Sequence, residues 1–172
     1  MRLALLNSRQ RVAEALPLWG NSLPSVASSA DFIYALRRHS PAMRNDSAND
    51  ANYCAVPAAV AREVTAWTLR DLAAKGVAYS RDAFDCEDFS NALDVNLRMV
   101  ASCAGLKFAP LCGILIVDQR LPWANVSAGG AHALVAVFTR DEGVLVIEPQ
   151  NGITCPLESY PNRINIRAIA NL

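Results

Sequence analysis

The stretch AHALVAVFTRDEGVLVIEPQ, residues 131–150, decides the fold of this chain. It contains two short apolar runs that are rich in β-branched residues, ALVAVF at 133–138 and GVLVI at 143–147. Runs of this length and composition are typical of β-strands. The polar segment between them, with Gly143 at its end, is typical of a hairpin turn. The sequence therefore predicts an antiparallel β-hairpin.

The length of the hairpin loop decides which polar side chains share a face of the sheet. Side chains alternate between the two faces of a strand, so residues of equal parity lie together. A three-residue loop at Arg140–Glu142 would place His132 opposite Gln150 and diagonal to Glu148. A two-residue loop would put them on opposite faces.

Outward from the hairpin, the chain carries further strands and two helices. LCGILIVD (111–118) has the same character as the hairpin strands, and RINIRAI (163–169) is a candidate for another strand. Apolar residues at helical spacing predict helices over 57–76 and over Cys86–Ala101. Helices followed by an antiparallel sheet define an α+β fold class.

The N-terminal part of the chain has a different character. Residues 1–52 are irregular and polar, with short helices predicted over Arg9–Leu16 and Asp31–Arg38. Residues 53–172 carry the predicted core. A length of 172 residues fits one domain of ordinary size, so residues 1–172 are expected to fold as a single domain.

Composition excludes several classes of function. Sixteen basic residues balance sixteen acidic ones, which removes the electrostatic case for nucleic acid or an anionic membrane surface as a partner. Apolar residues make up 52% of the chain, a share that argues against general disorder. No apolar run reaches the roughly 20 residues of a membrane span, and the start of the chain lacks the pattern of a signal peptide.

The five cysteines indicate a reducing environment. Their number is odd and no two have CxxC spacing, so neither a disulfide framework nor a thiolate zinc site is expected. Reduced thiols are typical of cytoplasmic proteins, and a cytoplasmic location is therefore predicted. All cysteines except Cys86 are interpreted as buried and inert: Cys54, Cys103, Cys112 and Cys155.

Cys86 has a setting that the other cysteines lack. Asp85 is a natural N-cap residue, and Asp88 follows three positions later, as in a capping box. Cys86 would then be the first residue of a helix. At that position unpaired N–H groups and the helix dipole favour a thiolate over a thiol.

Two further residues complete a candidate site with Cys86. His132 begins a predicted strand directly after a glycine pair, and Glu148 ends the next strand. The carboxylate could hold the imidazole in one tautomer and stabilise its charged form, and Gln150 could do so as a neutral acceptor. Structural alternatives stay open: an inert thiol, a hydrogen-bonded core histidine and a carboxylate at an exposed strand end.

Three short motifs in the chain resemble those of a known family. They are FDCEDF at Phe84–Phe89, GAHA at Gly130–Ala133 and EPQ at Glu148–Gln150, in this order. They are similar to motifs of papain-like cysteine proteases, and in particular of the papain-like C-terminal protease domain of the fungal chimerolectin agglutinins. The resemblance covers roughly residues 67–151.

This resemblance implies a fold and a set of roles. The fold would be papain-like, with the nucleophile at a helix N-terminus packed on a small antiparallel sheet that carries the histidine and the glutamate. Cys86 would be the nucleophile, His132 the base and Glu148 the residue that orients the base.

The same relatives imply calcium beside the nucleophile. Asp85, Glu87 and Asp88 match in kind the acids that would bind it. Helix capping and solvation are the alternative use of these carboxylates, because three neighbouring acids do not by themselves supply the roughly six to eight oxygen ligands of a calcium site. No cofactor is required for the predicted chemistry.

The oxyanion hole departs from the papain pattern. Papain-like enzymes have a glutamine about six residues before the cysteine, a place that Ser80 occupies here, beside Tyr79. The backbone N–H of Cys86 is one donor, and Tyr79 or Ser80 is the candidate for the second.

Three functions compete on these residues. The first is a cysteine hydrolase, a peptidase or amidase, in which Cys86 attacks a peptide or protein substrate while His132 takes its proton. The second is a transglutaminase-like acyl transferase with the same triad. The third is a catalytically silent, papain-like module that binds or inhibits a partner. The complete triad favours the enzymes, whereas the absent glutamine and the acids around Cys86 favour the silent module.

Overall fold

The computed structural model describes residues 25–45, 52–81 and 83–172, which form an α+β fold, and this class is as predicted. The helices are α1 (Ser29–Arg37), α2 (Ala58–Ala74) and α3 (Cys86–Cys103). The strands are β1 (Ser25–Ser28), β2 (Arg44–Asn45), β3 (Asn52–Ala55), β4 (Cys112–Asp118), β5 (Ala131–Thr139), β6 (Gly143–Ile147), β7 (Thr154–Pro156) and β8 (Ile166–Ala170). Two 3-10 helices, Leu157–Ser159 and Arg163–Asn165, connect β7 to β8.

Six of these strands form the central sheet, in the order β2-β8-β4-β5-β6-β7. Neighbouring strands are antiparallel, except that β2 runs parallel to β8 at one edge. The strands β1 and β3 pair with each other in a separate two-stranded sheet. The expectation of one antiparallel sheet is therefore wrong, because short segments of the N-terminal region add a parallel edge and a second sheet.

The hairpin of β5 and β6 has the three-residue loop. Thr139 is paired with Gly143, which leaves Arg140–Glu142 between the strands. The Thr139 hydroxyl donates to the carbonyl oxygen of Gly143 over 2.8 Å and accepts the N–H of Glu142 over 3.1 Å. The paired ladder ends at Ile147, so Glu148 is the first residue beyond it.

Both faces of the central sheet are covered by apolar side chains. On one face, Val64 of α2 and Leu93 of α3 belong to the same buried cluster as Val135. On the other face, Phe32 of α1 belongs to a cluster with Leu134. Because alternate residues of β5 point to opposite faces and both are buried, the strand is apolar throughout rather than alternating.

The helix starts depend on caps from different sources. α1 begins at Ser29, two residues before the predicted start, because the Ser28 side chain accepts the N–H of Asp31 over 3.1 Å. The first N–H of α2, at Ala58, is accepted by Oδ1 of Asp141 in the hairpin loop over 2.9 Å. That contact ties the helix to the sheet.

Two further expectations concern the chain as a whole. The helix predicted over Arg9–Leu16 lies outside the described residues, and the division into 1–52 and 53–172 stays a prediction. Among the helices that the structure describes, none combines the length and the apolar character of a membrane-spanning helix.

Candidate functional site

Cys86 is the first residue of α3, where the sequence predicted it. The capping box is complete: Oδ1 of Asp85 accepts the N–H of Glu87 over 2.9 Å, and Oδ2 of Asp88 accepts the N–H of Asp85 over 3.1 Å. The Ser90 hydroxyl donates to the carbonyl oxygen of Cys86 over 2.8 Å. The half-buried thiol is therefore held on a fixed helix end.

His132 and Glu148 meet across the hairpin. His132 lies in β5 opposite Val117 of β4, and Nε2 of its ring lies 2.7 Å from Oε2 of Glu148. Both residues have the parity of Leu134 and Val146, which line one face of the sheet. The three-residue loop is what makes this contact, because a loop shorter by one residue would invert the parity of one strand relative to the other.

Glu148 is fully buried, and both of its carboxylate oxygens have donors. Oε2 faces the imidazole, and Oε1 accepts the backbone N–H of Gln150 over 3.1 Å. The backbone N–H of Glu148 donates to Ile153, and its carbonyl oxygen accepts the N–H of Gly152 over 2.8 Å. A buried carboxylate that is bonded on every side is held in one position.

The pKa of His132 is raised from 6.5 to about 9 by its two partners. Burial of the ring is the largest single effect, and it lowers the pKa. The hydrogen bond with Cys86 and the hydrogen bond and charge of Glu148 together raise the pKa by more than burial lowers it. The ring of His132 is therefore protonated at neutral pH.

These residues open onto a cleft of about 360 Å³. Four residues singled out from the sequence line it, namely Tyr79, Cys86, His132 and Gln150. The side chain of Gln150 forms part of the wall, while the bond to Glu148 comes from its backbone rather than from its amide group. The role of Tyr79 or Ser80 as an oxyanion donor stays a prediction, although the turn that carries them is fixed by two bonds between Ser80 and Phe84 of 2.9 Å each.

The opposite wall of the cleft is the segment 119–130. Most of it belongs to the loop 121–131, which the sequence predicts to supply pocket residues because loops carry binding sites, whereas Gln119 was missed by sequence reasoning. Gln119 is 2% exposed, and its Nε2 donates to the carbonyl oxygen of Val126 over 3.1 Å. Its backbone N–H donates to Gly130, and its carbonyl oxygen accepts the N–H of Gly129 over 2.8 Å. A polar residue directly after the apolar run of β4, facing the glycine pair, is the signal that could have identified it.

The same wall stores backbone strain. Ala124 and Asn125 have φ values of 52° and 62°, a region that non-glycine residues seldom adopt. Nδ2 of Asn151 donates to the carbonyl oxygen of Ala124 over 2.5 Å and so holds the strained turn against the strand end beyond β6. Strained turns of this kind concentrate at binding sites, where the rest of the structure holds them in place.

The acids predicted to bind calcium are used as helix caps. Asp85 and Asp88 form the capping box, whereas Glu87 is exposed. Within 25–45, 52–81 and 83–172, no group of three or more His, Cys, Asp and Glu side chains has the arrangement of a metal site. Calcium binding at this helix end therefore stays a prediction without a ligand cluster to support it.

The remaining cysteines differ from the prediction in two cases, because Cys155 is half-buried and Cys103 is exposed. All five cysteines are unpaired. Cys54 and Cys112 are buried as predicted, and burial raises the pKa of the Cys54 thiol to about 11. Burial also raises the pKa of the half-buried Cys155 to about 11. Cys103 is exposed at the end of α3, so its interpretation as a buried thiol is wrong.

Two solved structures share this fold. One is a complex of PSL1a with E64, with a TM-score of 0.55 and 21% identity over 83% of this chain and 48% of that chain. The other is Polyporus squamosus lectin bound to the human-type influenza-binding epitope Neu5Acα2-6Galβ1-4GlcNAc, with a TM-score of 0.52 and 20% identity over 76% of this chain and 45% of that chain. The likeness at these identities shows the fold alone, and this chain spans about half the length of either structure. No protein-family model and no curated protein sequence matches it.

These comparisons correct the predicted identity. One of the two structures is that of a lectin, neither is named as a protease domain, and no protease family model matches, so the predicted resemblance to a protease domain is wrong and the predictions of a cysteine hydrolase and of an enzyme have no support from the comparisons. A peptide or protein substrate is not supported either. The hydrogen bonds among Cys86, His132 and Glu148 satisfy polar groups that the fold buries, and such an arrangement does not by itself require turnover. The binding module fits these findings better.

Proposed function

We propose that this chain is a binding module and that the cleft between α3 and the segment 119–130 holds a small glycan. The observation that carries the proposal is the polar lining of the cleft, to which Tyr79, Gln150 and His132 contribute together with the loop segment 125–131. The glycan held by the Polyporus squamosus lectin supports this class of ligand.

The chemistry of the cleft suits a sugar. Sugar hydroxyls both donate and accept hydrogen bonds, and the amide of Gln150 offers both functions. The side chain of Tyr79 is 55% exposed at the edge of the cleft, so one face of its ring is available to the apolar face of a sugar ring. The Glu148 carboxylate keeps the imidazolium in position.

A second cavity extends the cleft toward an acidic sugar. It has a volume of about 440 Å³ and shares Gln119 and the segment 128–130 with the first. Asp118, Arg120 and Arg167 line it, and Arg167 forms an ion pair with Asp118. The exposed Arg120 leaves this cavity with a net positive charge, which suits a carboxylate such as that of a sialic acid.

We also propose that the fold is papain-like, with Cys86 at a helix N-terminus beside a sheet that carries His132 and Glu148. In this chain the papain-like fold would serve for binding. Residues 1–172 would form one domain without a required cofactor. The five unpaired cysteines support a cytoplasmic location.

The test is titration of the protein with Neu5Acα2-6Galβ1-4GlcNAc, followed by calorimetry or by amide shifts in NMR spectra. Tyr79→Ala should weaken binding about tenfold, because it removes the exposed aromatic surface. Tyr34→Ala is the matched control, since Tyr34 is 70% exposed on α1 and does not line the cleft. Arg120→Gln should weaken the binding of the sialylated glycan but not the binding of Galβ1-4GlcNAc.

Two outcomes would contradict the proposal. One is the absence of saturable binding of either glycan at millimolar concentration. The other is hydrolysis of a peptide substrate that is lost in Cys86→Ser and kept in Cys103→Ser, the control at an exposed cysteine. In contrast, glycan binding that survives in Cys86→Ser would support a binding module whose thiol serves only as part of the wall.

A further inference from the structure

Five arginines from distant parts of the sequence lie close together beside β8, near one edge of the central sheet. Four of them are exposed and one is half-buried. They are Arg37 and Arg38 at the end of α1, Arg120 in the wall of the cleft, Arg163 in a 3-10 helix and Arg167 in β8. We refer to these five residues as the basic edge.

Asn162 brings two of these arginines together. Its Oδ1 accepts the backbone N–H of Arg120 over 3.0 Å, and Arg163 is the next residue in the chain. Asn162 is fully buried, so this contact is shielded from water. Arg120 and Arg163 therefore extend from one fixed point of the backbone.

Ser40 ties the other arginines to the same point. Its hydroxyl donates to the carbonyl oxygen of Arg163 over 2.9 Å and accepts the N–H of Ile166, the residue before Arg167, over 3.1 Å. Ser40 itself belongs to the turn that follows the two arginines of α1, where its N–H donates to the carbonyl oxygen of Leu36 over 3.1 Å. Two buried polar side chains thus hold the backbone of all five arginines together.

Few carboxylates offset the charge of the basic edge. Asp118 forms an ion pair with Arg167, and Glu158 lies 3.5 Å from Nε2 of His39. Within 25–45, 52–81 and 83–172, the other four arginines have no carboxylate partner. Because a guanidinium group is not deprotonated in proteins, the basic edge has a net positive charge although the chain as a whole has none.

The basic edge continues the wall of the glycan cleft. Arg120 and Arg167 line the cavity of about 440 Å³, which shares Gln119 and the segment 128–130 with the cleft. A chain that leaves the cleft through this cavity therefore meets the arginines next.

We propose that the basic edge binds a sulfated glycan chain; that one end of this chain occupies the cleft rests on the proposed function. Each guanidinium group presents a planar fork of donors that matches two oxygens of a sulfate group. Repeated sulfate groups along the chain meet repeated arginines along the edge, whereas a single sialic acid reaches only the two arginines of the cavity.

A matched pair of glycans tests the proposal on the unmodified protein. A heparin-derived octasaccharide and the same octasaccharide after desulfation and N-acetylation have the same backbone, but only the first carries sulfate groups. We expect the sulfated form to bind about tenfold tighter at low salt, as hydrogen bonds to charged groups give. Its affinity should fall steeply between about 50 and 200 mM salt, because the released counterions compete for the arginines.

Two pairs of substitutions locate the site. Arg37→Gln together with Arg38→Gln should weaken octasaccharide binding about fivefold. It should leave the binding of Neu5Acα2-6Galβ1-4GlcNAc unchanged, because neither residue lines the cleft or the cavity beside it. Arg70→Gln together with Lys75→Gln is the control, since it removes the same charge from α2, which packs on the other face of the sheet from α1. Melting curves show whether both proteins are folded.

The outcomes separate this proposal from that of the cleft. Equal binding of the two octasaccharides, or equal weakening by both pairs of substitutions, would overturn the basic edge as a sulfated-glycan site. Tighter binding of a single-stranded DNA oligomer or of phosphatidylserine vesicles at the same ionic strength would also overturn it. An octasaccharide that binds through Arg37 and Arg38 supports the basic edge even where the trisaccharide does not bind, and in that case only the proposed function of the cleft fails.

Discussion

The imidazole Nε2 of His132 and the carboxylate Oε2 of Glu148 lie 2.7 Å apart, although one residue is in β5 and the other lies just beyond the end of β6. His132 is 7% exposed and Glu148 is fully buried, so water does not screen their attraction. The pair therefore exists as an imidazolium and a carboxylate near neutral pH. It fixes one side of the cleft electrostatically as well as geometrically.

Replacing Glu148 with glutamine should lower the pKa of His132 from about 9 toward 6.5, because the charge disappears while an acceptor remains. NMR titration of the imidazole Cε1–H measures this value, and only two histidines need assignment. Glu142→Gln is the control, since Glu142 pairs with Arg62 in an exposed contact. An unchanged pKa in Glu148→Gln would mean that the carboxylate is not what holds the ring charged.

The stability of the protein should depend on pH through the same group. The pKa of His132 is higher in the folded chain than the ordinary 6.5, so folding favours the protonated ring. This stabilisation is complete below about pH 6.5 and is lost as the pH rises through about 9, with a size on the order of a few kcal/mol. Denaturant unfolding between pH 6 and pH 10 measures the loss. The loss should be much smaller in Glu148→Gln, and an equal slope in both proteins would contradict the assignment.

Cys86→Ala should also lower the pKa of His132, since the hydrogen bond with Cys86 helps to raise it. The same NMR titration measures it. Cys103→Ala, at an exposed cysteine, should leave the pKa unchanged. A Cys86→Ala titration identical to that of the parent would show that the sulfur does not contact the ring in solution.

The carboxylates at the start of α3 should act as caps. Asp85→Ala should reduce the free energy of unfolding by about 1 kcal/mol, because the N–H of Glu87 loses its acceptor. Glu87→Ala should change it by less than about 0.5 kcal/mol, because that side chain is exposed and does not cap the helix. Calcium at millimolar concentration should leave the melting curve unchanged from that in chelator. A calcium-dependent rise in melting temperature that vanishes in Glu87→Gln would instead establish the calcium site.

Asn162 should hold the wall of the cleft in place. Its Oδ1 accepts the N–H groups of Arg120 and Leu121 over 3.0 and 2.8 Å, and its Nδ2 donates to the carbonyl oxygen of Leu121 over 2.9 Å. Asn162→Ala should cost about 3 kcal/mol in the free energy of unfolding and should speed hydrogen exchange at both amides. Asn165→Ala is the control, and equal effects of both changes would show that Asn162 has no special role.

The hairpin shows how far local signals reach. The β-branched runs and the Gly143 turn predict the strands of residues 131–150. The sequence left the loop open between two and three residues, and the structure, with its three-residue loop, places His132 and Glu148 on the same face. The capping pattern likewise predicts Cys86 at a helix start. These predictions succeed because each depends on the residues within a few positions in the chain.

Other features had no local signal. The strands β1, β2 and β3 are short, and nothing in their own composition distinguishes them from loop. Their pairing partners are distant in the sequence, since β1 pairs with β3 and β2 pairs with β8. Gln119 became part of the site only because its amide bonds the turn that ends at Val126. The exposure of Cys103 likewise depends on which side of α3 meets the sheet.

The sequence by itself determined the α+β class, the hairpin and the helix that begins at Cys86, because hydrophobic period, turn residues and caps are local properties of the chain. The tertiary structure decided what surrounds them. It folded the segment 119–130 over the cleft and buried the carboxylate that keeps the imidazole charged. Those outcomes depend on which distant surfaces exclude water from one another, and no local stretch of the sequence contains that information.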